Sequence, residues 1–297
     1  MNFRQAMKLT RCELLQSIFN IYVEKYLASQ ASKYLEKGNR PLAVYSFDHI
    51  GRIIVIEGLY EKRDLNILGD FLNLFCKDKS LALDVGANIG NHACYFQSIF
   101  SKVIAFEPNE VILPLLHLNS KSVPNIEVRE VALGERNESI DICYSYTNIG
   151  SGSIIRNNEC NNSKHQIVKV ETLDGQGLKN VGFIKTDVEG NELSVLKGGV
   201  KLISESMPII AFEQNAIEIQ DGSSKTIDYL RVLGYEFFEI QHQRVRLGPL
   251  YLKRILNLIF DLVLNRIYRL QKISYFQNKN YSLIIATPII TKINENP

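Results

Sequence analysis

Apolar positions recur at helical spacing near the start of the chain, and "EKGNRP" ends that pattern. This spacing predicts one or two helices within residues 1–40. The runs "LAVYSF" and "RIIVIE" flank "DHIG", which predicts a β-hairpin followed by a linking helix within residues 41–80. The apolar positions of the first segment are Leu14, Leu15, Ile18, Phe19, Ile21, Tyr22 and Tyr26.

From residue 81 onward, short apolar runs alternate with stretches long enough to form helices, which predicts βαβ units and a mostly parallel sheet. We expect this core to span residues 81–248 and a last strand with a tail to span residues 281–297. The Asn-, Ser- and Gly-rich tract 148–165 predicts a mobile loop. The predicted strands are "LALD", "VIAFE", "IEVREVAL", "VGFIKTD", "PIIAFE", "YEFFEI" and "YSLIIAT".

Four of these runs finish at an acidic residue: Asp84, Glu107, Asp187 and Glu213. The carboxyl ends of parallel strands form the ligand crevice of an open α/β sheet, so four carboxylates would share one edge. Two such charges about 4 Å apart repel by roughly 4 kcal/mol at an effective dielectric constant of about 20. The cluster therefore needs cations, hydrogen-bond donors or raised pKa values. The alternative is that each acid caps the helix that follows it.

The first acid opens "DVGANIG", residues 84–90, between a predicted strand and a predicted helix. Gly86 and Gly90 permit positive φ and close backbone approach, and Asn88 tolerates left-handed geometry. The turn is neither G-x-G-x-x-G nor a P-loop, so nicotinamide and ATP lack their phosphate cradle. Glu107, at the end of the next strand, is placed to accept both hydroxyls of a ribose. Together these features indicate an adenosine-containing ligand.

The overall composition narrows the function further. Lys and Arg number 34 against 32 Asp and Glu, so no global charge marks nucleic acid as the partner. Five scattered cysteines without a C-x-x-C pair argue against disulfides and zinc and favour a cytoplasmic protein. Charges interrupt the first twenty residues, so we expect no secretory signal, and no apolar stretch is long enough to span a membrane.

Several motifs together resemble the FkbM-type S-adenosylmethionine-dependent methyltransferases, over about residues 52–215. This resemblance implies the class I methyltransferase fold, a Rossmann-like, seven-stranded and mostly parallel sheet with an antiparallel last strand. It also implies methylation of hydroxyl oxygens of sugars and related substrates. The motifs are "DVGANIGNHACYF", "AFEPN", "VALGE", "ETLDG", "FIKTDVEGNELSVLKGG" and "PIIAFE".

The resemblance implies S-adenosylmethionine as the cofactor, and the acids fit it because its sulfonium and amino group are positively charged. Glu107 would contact the ribose, and Ala132 and Leu133 would match the segment beside the adenine. The residues around the amino acid part of the cofactor would be Asp84, Gly86, Asn88 and Gly90.

A sugar hydroxyl is a poor nucleophile, so a general base or a metal should assist the removal of its proton. We expect Asp187 to be the polarising or basic group, with Glu189 and Glu213 positioning the acceptor or a divalent cation; no metal ligand set is assigned. His242 is a second candidate base, although a solitary histidine beyond a strand is more often a surface residue. His92 has a structural interpretation, whereas Glu192 either complements a helix dipole or has a functional role.

Residues 249–272 form a predicted amphipathic, basic helix inside an insert that spans residues 249–280. The helix either packs on the enzyme or on a second subunit, as in a homo-oligomer, or lies on an anionic membrane surface. The second alternative would place the protein on the inner face of the membrane and favour a lipid-linked sugar as the acceptor.

The glycine- and serine-bearing tract 148–153 is either a lid over the acceptor or an ordinary surface connection. The leading function is O-methylation of a sugar or glycan hydroxyl. The alternatives are an N-methyltransferase of a small metabolite and a catalytically silent adenosine-binding or scaffold protein.

Overall fold

The computed structural model describes residues 11–36, 41–145, 148–153, 164–242 and 268–289. The chain divides into two compact units, Met1–Lys62 and Arg63–Pro297. No helix among the described residues is long and apolar enough to cross a membrane. The other domain boundaries expected from the sequence stay predictions.

The first unit contains two helices, α1 (Arg11–Glu36) and α2 (His49–Glu57). The N-terminal helical prediction is thus met by α1, but the predicted hairpin is wrong, since "RIIVIE" lies in α2. Its β-branched residues mimic a strand, yet local capping decides the conformation. The Asp48 side chain accepts hydrogen bonds from the Ile50 and Gly51 amides, and Gly58 ends the helix with a φ of 83°.

The second unit is built on a sheet of eight strands in the order β11-β10-β12-β9-β8-β1-β2-β3. Strands β1, β2, β3, β8 and β9 pair in parallel, whereas β12 is antiparallel to both β9 and β10. These strands, with β10, form the predicted seven-stranded sheet, and the class I methyltransferase fold is confirmed. The bounds are β1 (Leu81–Val85), β2 (Lys102–Phe106), β3 (Ile126–Arg129), β8 (Val181–Thr186), β9 (Ile209–Gln214), β10 (Tyr235–His242), β11 (Tyr268–Ile273) and β12 (Tyr281–Pro288).

The eighth strand, β11, corrects the prediction of a helix over residues 249–272. Its six residues pair antiparallel with β10, from Phe237 opposite Ile273 to His242 opposite Tyr268. The sequence "YRLQKI" alternates apolar and polar side chains only over its first four residues, and this short period of two is hidden inside a longer apparent helical pattern. The rest of the predicted helix, residues 249–267, lies outside the described residues.

A second, four-stranded sheet was not predicted at all. Its order is β4-β7-β5-β6, and its strands are β4 (Ala132–Leu133), β5 (Glu138–Ser145), β6 (Asn148–Ser153) and β7 (Lys164–Glu171). The predicted loop over residues 148–165 is therefore wrong at both ends, and its centre, residues 154–163, lies outside the described residues. Ile142, Val168 and Val170 are buried, and Ile142 and Val168 form a small core of their own.

Helices cover both faces of the large sheet. On one face the Phe183 ring packs on Phe96 and Phe100, with ring centroids 4.9 and 5.8 Å away. On the other, Ile184 belongs to a core that includes Leu196 and Ile203. These helices of the second unit are α3 (Lys62–Phe75), α4 (Asn91–Phe96), α5 (Leu113–Lys121), α6 (Glu192–Lys197), α7 (Val200–Ser206) and α8 (Lys225–Val232).

Candidate functional site

The turn between β1 and α4 lies directly against the end of β8. Gly86 has a φ of 79°, and a Cβ added there would lie 1.9 Å from the carbonyl oxygen of Asp187. The amides of Gly86 and Ala87 both donate to the Phe106 carbonyl at the end of β2, at 3.0 Å. Asn88 and Gly90 also have positive φ, 51° and 86°. The backbone of the turn is therefore fixed between β2 and β8, with no room for a side chain at Gly86.

Asp84 is completely buried beneath this turn. Neither carboxylate oxygen makes a hydrogen bond of normal length and angle with the described residues, although the Ala93 amide at the start of α4 faces the carboxyl group and lowers its pKa. Burial raises the pKa of Asp84, while the charges of Lys185 and His92 act in the opposite direction and Asp187 reinforces the rise. A buried and unpartnered carboxylate is costly, so its retention here indicates a group that pairs with a ligand.

Glu107 follows β2 and links the glycine turn to the next loop. Its Oε2 accepts from the Asn88 amide and its Oε1 from the Asn109 amide, both at 2.9 Å. The pKa of Glu107 is raised to about 7, mainly by burial. The charges of Asp84 and Asp187 contribute to this rise, and the two amide hydrogen bonds oppose it. Each oxygen keeps a second lone pair, so the carboxylate can still accept from a ligand.

Asp187 follows β8 and is held by a buried lysine. The Lys185 ammonium donates to Asp187 Oδ2 at 3.0 Å, and the lysine side chain is 4% exposed against 28% for the aspartate. Lys185 lowers the pKa of Asp187, with a smaller contribution from His92, and this outweighs the opposing effect of burial. The Asp187 side chain is therefore ionised and reaches solvent.

The turn after Asp187 is shaped by Glu192. Its Oε1 accepts from the amides of Val188 at 3.1 Å and Gly190 at 3.3 Å. Glu192 is 4% exposed and lies in the first turn of α6, where its carboxylate holds the backbone of this turn. Glu189 has a φ of 52° and is exposed at the surface, but the neighbouring protein still removes part of its hydration, and this partial desolvation together with the Asp187 charge raises its pKa.

The remaining predicted residues lie on neighbouring strands. Glu213 is partly buried in β9, which pairs with β8. Ala132 and Leu133 form β4, which pairs with β7 in the second sheet rather than extending β3. His242 ends β10, and its side chain is outside the described part of the structure.

Sequence reasoning missed two side chains that support the site. Lys185 is opposite Asp84 in the pairing of β1 with β8, and the signal for it was a lone cation in the apolar run "VGFIKTD". Gln166, in β7, donates to the Pro108 carbonyl at 2.9 Å and accepts from the Glu110 amide at 3.0 Å. This residue fixes the loop that follows Glu107, and nothing in the sequence marked it.

The geometry suits a cationic cofactor. Asp84 offers two buried carboxylate oxygens beside a glycine turn, and Glu107 retains acceptor capacity. In the part of the chain that the structure describes, no three His, Cys, Asp or Glu side chains are arranged to hold a metal ion. The positively charged S-adenosylmethionine therefore fits this donor set.

Comparisons with known proteins agree with the motifs. Residues 84–237 match the family described as Methyltransferase FkbM domain. The chain is 32% identical over 157 residues to hexuronic acid methyltransferase AglP of Haloferax volcanii, an alignment that covers 48% of this chain and 61% of that protein. The match thus spans less than two thirds of that relative.

Two solved structures illustrate the more distant similarity. Methyltransferase FkbM from Methylobacillus flagellatus KT is 18% identical, with 77% of this chain and 57% of that chain covered and a TM-score of 0.39. SMU.1697c from Streptococcus mutans, solved in complex with SAH, is 12% identical, with 75% and 97% covered and a TM-score of 0.37.

Proposed function

Because the chain belongs to the FkbM methyltransferase family, we propose that it methylates a hydroxyl oxygen of a sugar or glycan with S-adenosylmethionine as the donor. The observation that carries this proposal is the buried, unpartnered Asp84 beneath the Gly86 turn. The sugar class of the acceptor is supported by AglP, whose name describes it as acting on hexuronic acid.

Each part of the cofactor has a matching set of residues. Asp84 and the turn of Gly86, Asn88 and Gly90 would hold the amino acid part, since a cation relieves the cost of the buried carboxylate. Glu107 would accept the ribose hydroxyls. The segment of Ala132 and Leu133 would lie beside the adenine. When bound, the cofactor supplies an electrophilic methyl group.

The chain itself contributes acceptor positioning and proton removal. Asp187 is ionised and partly exposed, so its carboxylate can accept the hydrogen bond of the acceptor hydroxyl and take up that proton as the oxygen is methylated. Its low pKa makes it a weak base, so holding the hydroxyl in line and polarising it should contribute more than proton affinity does. Glu189 and Glu213 would orient the acceptor from the neighbouring turn and strand.

Calorimetry with S-adenosylmethionine and with NAD tests the cofactor class. We expect binding of the sulfonium compound alone, and tight binding of NAD without it would refute the proposal. Incubation with the donor and sugar oligomers, including hexuronic acid glycans, should then add one methylene unit by mass spectrometry.

The Asp187→Asn variant tests the role of the carboxylate. We expect it to retain the cofactor while turnover falls by about 100-fold or more, the usual range for a general base. Glu135→Gln, an exposed acid that pairs with Lys197, serves as the control. Undiminished turnover in Asp187→Asn would remove the proposed role.

A further inference from the structure

Two carboxylates and one ammonium lie together at the junction of β1 and β8. Asp84 and Lys185 are opposite each other in the register of these strands, and Lys185 is bonded to Asp187 two residues further along the chain. Asp84 and Lys185 are 0% and 3% exposed. A lysine this deeply buried is rare unless its ammonium group is paired with an acid, because desolvation disfavours the charged form.

The cluster carries one more negative than positive charge when its three groups are ionised. S-adenosylmethionine carries a net charge of one because of its sulfonium, whereas the demethylated product is a neutral thioether of nearly the same shape. A crevice that distinguishes the two must do so mainly by charge. The net charge of the cluster therefore determines how much more tightly the crevice binds the donor than the product.

We propose that Lys185 is a specificity-determining residue that sets the charge of the cofactor crevice, offsetting one of its two carboxylates so that it matches a single sulfonium. This inference rests on the proposed function, because it takes S-adenosylmethionine to bind in this crevice. It assigns Lys185 no direct contact with the cofactor or the acceptor. Lys185 acts through the charge of the site and through the placement of Asp187.

Other titratable groups face the cluster, and their effects must be distinguished from those of Lys185 and Asp187. His92, from α4, interacts with both aspartates, and Glu107, after β2, interacts with both as well. Glu189, which follows Asp187, interacts with that residue. All three remain in every variant below, so differences from the wild type report on Lys185 and Asp187.

The test compares the affinities of S-adenosylmethionine and S-adenosylhomocysteine by calorimetry from pH 5 to pH 9. Lys185→Met removes the cation, so its ratio of donor to product affinity should exceed the wild-type ratio by about fivefold to tenfold at pH 8. The excess should shrink towards pH 5, because Asp187 without its lysine takes up a proton more easily. Lys185→Arg keeps the charge and should keep the wild-type ratio, which a merely packing role would not require.

A second variant covers the case in which Lys185→Met does not fold. Asp187→Asn removes one negative charge and should lower the ratio by a similar factor, and the double variant should return it towards the wild type. Lys197→Met, which disrupts an exposed pair with Glu135, should leave the ratio unchanged.

The outcomes separate this inference from its premise. Absence of binding of both ligands to the wild type would refute the proposed function. Binding of both, with a ratio that is the same in Lys185→Met or in Asp187→Asn as in the wild type at every pH, would refute the role of Lys185 and leave the proposed function standing.

Discussion

Glu107 should make the stability of the ligand-free protein fall as the pH rises. Its pKa is raised from 4.5 to about 7, chiefly by burial. A carboxyl group whose folded pKa lies above its unfolded value binds more protons in the native state between those two pH values. The free energy of unfolding therefore decreases as the pH rises through this window. The difference corresponds to about 3 kcal/mol once the pH is above 7.

The Glu107→Gln variant removes this titration. Its amide oxygen can accept from only one of the Asn88 and Asn109 amides, which costs about 1–3 kcal/mol at every pH. We expect the stability of the variant minus that of the wild type to increase by about 2.5 kcal/mol between pH 5 and pH 8, with a slope that does not exceed about 1.4 kcal/mol per pH unit.

Urea unfolding of both proteins at four pH values measures this difference, with the exposed Glu135→Gln as the control. A difference that stays constant from pH 5 to pH 8 would refute the reasoning, because it would mean that Glu107 ionises as easily in the native as in the unfolded state. The same titration should weaken binding of S-adenosylmethionine below pH 7, since only the ionised carboxylate can accept from both ribose hydroxyls while holding the two amides.

Three further variants test the surroundings of the crevice. Gly86→Ala places a Cβ 1.9 Å from the Asp187 carbonyl at a φ of 79°, so we expect a loss of at least about 2 kcal/mol in urea unfolding; wild-type stability would contradict the described turn. Asp84→Asn removes a buried charge that lacks a hydrogen bond, so ligand-free stability at pH 8 should not fall, while calorimetry should show about tenfold weaker binding of the donor; equal binding would exclude the carboxylate as its counter-ion. Gln166→Leu breaks both bonds to the loop that follows Glu107 and should cost about 1–3 kcal/mol of stability, with weaker cofactor binding; an unaltered affinity would show that this loop needs no support from the second sheet.

The placement of Asp84, Glu107 and the glycine turn at strand ends could be predicted because strand ends and turns are local features of the sequence. Asp84 and Glu107 come at the ends of short apolar runs, and the glycine turn connects β1 directly to α4. A strand end and a turn are encoded within a few residues, so the spacing of the acids along the chain is informative by itself.

Other elements depend on contacts that the sequence does not reveal. The strand β11 is defined by its pairing with β10, and β7 joins β4 to β5 across a long separation in the chain. Periodicity in short segments that carry charges fits both helix and strand, so tertiary pairing decides between them. Lys185 was missed for the same reason, since Asp84, which lies opposite it, belongs to another strand.

The acids at the sheet edge repel one another, so the ligand-free protein must stabilise each of them by its own contacts. Each of the three interacting carboxylates is accommodated in a different way. Asp84 is buried, which raises its pKa and favours the neutral acid, Glu107 accepts two backbone amides, and Asp187 is paired with Lys185. The ligand-free protein therefore does not require the cofactor's charge in order to fold. Binding of a cation should lower the raised pKa of Asp84, so cofactor affinity and proton release should be linked.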